Sequence, residues 1–245
     1  MKRFDYAYCL GVVSYLERKI ISPKRFFEFL SYSLEGVLSE VKGNFFQSLS
    51  SSYQSIEGIE NFLNKEQDTL DSLTKEWVQP ELFEEFKKFF IYTRVNEPLL
   101  KEYPFLLNLF KIRLDFFNIV FLLRASYLKR DFSAKFLGFI PEEDLNKLFN
   151  QDKVLKIKMP LHYQFFTLGN SLVREEKYHL LDFIPFKFLF KLQEEAREII
   201  LGPERVFSFY FLKRLQDKTL KLIFISKLYN LEEEKIREIL EVVYG

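Results

Sequence analysis

The chain has 245 residues, with 36 basic and 35 acidic side chains and a formal charge of +1. That length can bury a substantial core in one or two domains, and the near-even balance, without a basic stripe, excludes the electrostatic footprint of a nucleic-acid binder. Phenylalanine occurs 30 times while the only alanines are Ala7, Ala125, Ala134 and Ala196, which predicts bulky, irregular packing between helices rather than close Ala-lined crossings.

With 8 glycines in the chain and apolar residues recurring mostly at a period of 3.6, an all-α fold is predicted. The opening Met1-Lys-Arg-Phe-Asp-Tyr lacks the apolar segment of a signal peptide, and no apolar run reaches the ~18–20 residues of a membrane span, so a cytoplasmic protein without a transmembrane segment is expected. Cys9 is the one cysteine. It fits a reduced compartment and reads as a buried thiol on an apolar helix.

The first predicted helix pair runs over 6–20 and 24–38, separated by the Ser22-Pro23 turn. Residues 48–55, rich in serine, read as a loop or weak helix. Gln79-Pro80-Glu81 marks another helix start. A long helix over 106–127 followed by a short one over 141–149, opened by Pro141, forms the second pair. Lys153 to Lys158 is the strongest basic run and reads as a solvated surface. Phe186-Lys-Phe-Leu-Phe-Lys-Leu alternates like a strand, but it runs into Gln193-Glu-Glu-Ala-Arg, so a helix from about Pro185 is preferred. The doublets Phe26-Phe27, Phe45-Phe46, Phe89-Phe90 and Phe116-Phe117 are assigned to the core.

The third pair is the best signalled. Gly202 is the expected N-cap, Pro203 occupies the first helical position, where no N–H is needed, and Glu204 puts negative charge near the positive end of the dipole. Phe211, Leu215, Thr219, Leu222 and Ile223 form the predicted buried stripe, with Lys213, Arg214, Asp217, Lys218 and Lys221 mostly on other faces. Asn230 supplies a left-handed cap. Ile236, Ile239, Leu240 and Val243 make the inner face of a closing helix, and Leu231 has the spacing of a hydrophobic staple to Ile236 if Glu232 is the N-cap.

Catalytic motifs are missing from the sequence. There is no Gly-rich phosphate cradle followed by Lys and Ser or Thr, and no Gly-x-Ser-x-Gly elbow. His162 and His179 have no zinc-ligand spacing and read as surface or core-edge residues. Asp115 and Asn118 stand out because they lie one turn apart on a largely apolar helix. A buried carboxylate needs a partner, which Lys111 or the end of a neighbouring helix would supply, so a structural tie is expected rather than acid–base chemistry. Arg124, roughly opposite on the wheel, should contact something else. No catalytic, cofactor or metal site is predicted.

Three segments carry a family resemblance in the correct order. Tyr6-Ala-Tyr-Cys-Leu-Gly-Val-Val-Ser-Tyr-Leu-Glu, Leu114-Asp-Phe-Phe-Asn-Ile-Val-Phe-Leu-Leu-Arg-Ala, and the closing Gly202-Pro-Glu helix that ends in Lys227-Leu-Tyr-Asn-Leu before Glu232-Glu-Glu-Lys-Ile-Arg-Glu-Ile-Leu resemble the C-type subunit of archaeal and bacterial V-type ATPases, the equivalent of the d-type subunit in the vacuolar enzyme. The region 44–96 departs from that family's pattern, lacking a second clear Asp-x-x-Asn-Leu-Lys motif. The resemblance implies one unit over 1–245, an all-α funnel of three pseudo-repeated lobes with boundaries near 1–98, 99–160 and 161–245. It also implies a non-catalytic central-stalk role in ion transport, proton or sodium. A part of this kind couples the central shaft subunits to the membrane rotor ring of the rotary ATPase and is peripheral to the membrane. No cofactor is implied. Lys153 to Lys158 and Glu232 to Glu234 are candidate contacts. The rival expectation is a helical adaptor or scaffold unrelated to ATPases.

Overall fold

A computed structural model describes residues 3–46, 55–90, 96–130, 138–145, 160–199 and 202–245. The basic run at 153–158 and most of the serine-rich stretch lie outside them. Every described element is a helix: α1 (Arg3–Leu16), α2 (Pro23–Leu30), α3 (Leu34–Val41), α4 (Ile56–Trp77), α5 (Pro80–Lys88), α6 (Glu97–Leu100), α7 (Pro104–Tyr127), α8 (Pro160–Arg174), α9 (Ile184–Arg197), α10 (Pro203–Leu228) and α11 (Glu233–Tyr244). The strand-like run at 186–192 lies within α9, and no described helix is long and apolar enough to cross a membrane.

Prolines and capping oxygens set most of the starts. Proline occupies the first turn of α2, α6, α7 and α10, where its missing N–H costs nothing. The Ser33 and Ser55 hydroxyls accept from the N–H groups of Gly36 and Gly58, each at 3.1 Å. The first pair differs from expectation at its ends. α1 stops at Leu16 and passes into a 3₁₀ turn over Glu17–Lys19, and the predicted second helix is interrupted at 31–33 into α2 and α3.

Three helices stop in the same way. Lys129 after α7, Glu176 after α8 and Asn230 after α10 all have positive φ, between 50° and 62°. One residue on, Arg130 N–H donates to Ala125 O, Lys177 N–H to Leu172 O and Leu231 N–H to Ser226 O, at 2.8–2.9 Å. Each bond closes the six-to-one ring of a Schellman cap with a non-glycine residue in the left-handed position.

The chain packs as two compact units, one from residues 1–83 with 193–245, the other from 84–192. In the first, α10 packs against α1, α2, α3, α4 and α11. Its core runs from Phe26, Phe29 and Leu30 through Val37, Val41, Phe45 and Ile59 to Leu220, Ile223, Phe224, Ile236 and Leu240. Phe26 stacks on Tyr244, and Phe45 meets Phe62 edge-on. Because neighbours surround α10, burial is not confined to one stripe. Phe211, Leu215, Thr219 and Ile223 are buried as expected, but so are Lys213 and Asp217, for which helical spacing predicts outer faces.

In the second unit α7 packs chiefly against α8. Phe116 stacks on Phe165 at 4.1 Å between ring centroids, and both meet Phe188 edge-on. The Arg113 guanidinium donates to the carbonyls of Lys88 and Phe89 at the end of α5 and lies over the Phe89 and Phe110 rings. A fully charged side chain thereby caps a helix while its body packs as an aromatic neighbour.

Candidate functional site

Among the described residues of the second unit, polar groups converge on Asp115, which α7 holds wholly out of solvent beside the equally buried Asn118. One carboxylate oxygen, Oδ1, accepts from Ile140 N–H at 3.1 Å; the other, Oδ2, accepts from Phe139 N–H and from His162 Nε2, each at 2.9 Å. An ionised carboxylate only accepts, so these contacts assign His162 the tautomer with hydrogen on Nε2. Its Nδ1 is buried without a hydrogen-bond partner.

The backbone at 138–140 approaches α7 so closely that position 138 admits no side chain. A Cβ on Gly138 would overlap the Asp115 carboxylate and stand 2.7 Å from Lys111 O. Gly138 and Asp115 thus form one feature. Lys111 is not the carboxylate's partner: it pairs with Glu97 at 3.3 Å and covers the Phe139 ring. The partner comes instead from the start of a neighbouring helix, because His162 sits in the first turn of α8. His162 is 1% exposed rather than at the core edge. With both carboxylate oxygens engaged by protein donors, the arrangement clamps segment 138–140 and α8 onto α7.

Arg124 turns away from this clamp. It pairs with Asp182 at 2.7 Å over a shallow depression lined by Phe117, Val120, Phe121 and Pro185. At the end of the same helix Tyr127 stacks on Tyr178, whose phenol is pushed up to about 12, first by burial and then by its hydrogen bond to Tyr127.

Gly202, Pro203 and Glu204 belong to the first unit, whereas Asp115 and Asn118 belong to the second. Gly202 adopts φ 155° and ψ 171°, a region open essentially to glycine alone, and caps α10 without a side-chain bond. The Glu204 carboxylate folds back into the space where a Cβ of residue 202 would stand. Burial raises its pKa, and a bond to its own backbone N–H opposes the rise. At the far end Glu232 is the N-cap of α11, as the staple spacing requires, but Leu231 is half exposed.

A second polar cluster lies under the 42–46 segment of the first unit. Lys213 Nζ donates to Asn44 O at 3.1 Å and to Asp217 Oδ1 at 3.2 Å, stands 3.8 Å from Glu66 Oε2, and faces the Phe45 and Phe46 rings. Glu66 Oε2 in turn accepts from Phe46 N–H at 2.9 Å. Asp217 Oδ2 has no hydrogen-bond partner. Burial drives the Asp217 carboxyl up to about 6 despite Lys213, the largest influence in the other direction.

Among the described residues no three His, Cys, Asp or Glu side chains gather to hold a metal ion. No family model matches the chain, and neither a curated protein nor a solved structure does.

Proposed function

We propose that the protein is a non-catalytic central-stalk subunit of a V-type rotary ATPase or ATP synthase, linking the central shaft to the membrane rotor ring. The observation that carries this reading is the closing hairpin: Gly202-Pro203-Glu204, a long helix to Leu228, a turn at Asn230 and a short amphipathic helix from Glu233. Its residue order resembles the end of the C-type subunit in that family, and the segments at 6–17 and 114–125 resemble the family's earlier helices in the same order. On this reading α1 with α2 and α3, α7 with the helical turn at 142–145, and α10 with α11 are long-then-short helix sets that form three lobes of a funnel. Its place is cytoplasmic and peripheral to the membrane, held there by the complex.

The role is mechanical. A coupling part must carry torque between two proteins while hydrolysing nothing itself, which favours packed helices whose polar interior groups act as ties, as Asp115 does. The test is co-purification of the chain with the shaft subunits and with the detergent-solubilised rotor ring from the same organism. Stable binding to both is expected. Binding to neither would sink the proposal and leave a helical adaptor outside the motor.

A further inference from the structure

We propose that the buried Glu66–Lys213–Asp217 cluster holds one proton, carried by Asp217, and that its loss loosens the 44–46 segment from α10. Charge counting comes first. Two carboxylates, one from α4 and one from α10, meet a single ammonium in a place where all three side chains are less than a tenth exposed. With every group ionised the cluster carries one uncompensated negative charge, and a buried unpaired charge is costly enough that the group changes protonation instead.

The geometry says which carboxylate gives way. Glu66 Oε2 has a backbone donor in Phe46 N–H, and Asp217 Oδ1 has Lys213, but Asp217 Oδ2 faces no donor. A bare carboxylate oxygen there is the expensive state, whereas a neutral carboxyl avoids it. The other charged groups around the cluster do not supply the missing donor. Arg214, the next residue along α10, is partly exposed and lies over the Tyr210 ring; Lys19 reaches Phe45 O and the Phe46 ring; Lys42 is exposed to solvent. Burial is the leading cause of the raised Asp217 pKa, in agreement with this placement.

The segment over the cluster is what would respond. Residues 44–46 are fastened by Lys213 to Asn44 O, by Glu66 to Phe46 N–H, by Lys19 to Phe45 O and by Asn44 Nδ2 to Lys19 O. Two of those four ties belong to the cluster itself. When Asp217 ionises, Lys213 and the incoming water must serve a second full charge, and its hold on Asn44 O weakens. The proton site does not depend on a rotary role.

The sign follows from linkage. Asp217 binds its proton more tightly folded, near pH 6, than at its ordinary value of 3.8, so its contribution to stability is complete below ~4 and is lost as pH rises through ~6. Urea unfolding of the wild type and Asp217→Asn across pH 4 to 7.5 should show the variant gaining on the wild type with rising pH, by on the order of 100-fold in the folding constant. A pH-independent difference overturns the proposal. Should Asp217→Asn fail to fold, the ¹³C carboxyl shift of Asp217 in the wild type decides: a midpoint near 6 is expected, and one below ~4 overturns it. Glu66→Gln leaves a one-to-one pair and should move that midpoint down. Hydrogen exchange of the Phe46 amide, corrected for its intrinsic rate, should accelerate above pH 6 in the wild type but not in Asp217→Asn. Unchanged protection removes the loosening.

Discussion

Asp115 shows how a single side chain can do the work of a loop closure. It satisfies two backbone donors and a histidine at once, so removing it strands three donors rather than one, two of them on the buried Ile140 and His162. Asp115→Ala should cost ~3–5 kcal/mol, measured as a fall in the urea midpoint at constant slope. Gly138→Ala should also destabilise, by ~1–3 kcal/mol, because its Cβ must displace either the carboxylate or the Lys111 carbonyl. The burial of Asp115, and its need of a partner, were legible from its position on an apolar helix. The partner was not, since His162 is 47 residues away and a lone histidine among Leu161, Tyr163 and Phe165 carries no spacing signal. Gly138 had a faint one, an isolated glycine amid Lys135-Phe-Leu and Phe139-Ile, which marks a place where backbone comes close.

At the level of elements, punctuation was the readable part. Proline and the small capping residues located the starts of α2, α5 and α10, and Asn230 located the turn before α11. Position on the helical wheel was the unreadable part for α10. An amphipathic pattern predicts one buried stripe, but a helix with neighbours on several sides buries polar residues too, and Lys213 and Asp217 went inside because Glu66 and the Asn44 carbonyl could receive Lys213 there. The repeated left-handed cap gives a prediction of its own. Lys129→Gly and Glu176→Gly should each stabilise by ~0.5–1 kcal/mol, since glycine relieves the steric cost of positive φ at modest entropic cost. Thermal melts of the single and double variants check this, and additivity is expected because the two caps end different helices. Gly202→Ala should act in the opposite direction, forcing both the cap backbone and the Glu204 carboxylate to move.

For the whole molecule, the division into units is discontinuous in sequence. The first unit joins residues 1–83 to 193–245, while the second is a continuous stretch. Local periodicity signals individual helices but could not find this, because the pairing of α10 with α4 spans well over a hundred residues and leaves no short-range trace. A fragment over residues 80–199, keeping α5 and α9 whole, should retain a cooperative helical melt by circular dichroism. One over residues 1–83 should not, because α10 contributes Leu220, Ile223 and Phe224 to the core that Phe26, Phe29 and Ile59 need.

The central place of α10 in the first unit also bears on how the chain is made. Residues 203–228 leave the ribosome well after residues 1–83, so α1 to α4 emerge with Phe26, Phe29, Val37 and Ile59 facing an empty seat. At ordinary elongation rates of ~5–20 residues per second that wait lasts several seconds or more, long compared with hydrophobic collapse. The nascent half-core therefore spends that interval with its apolar face uncovered until its own central helix arrives.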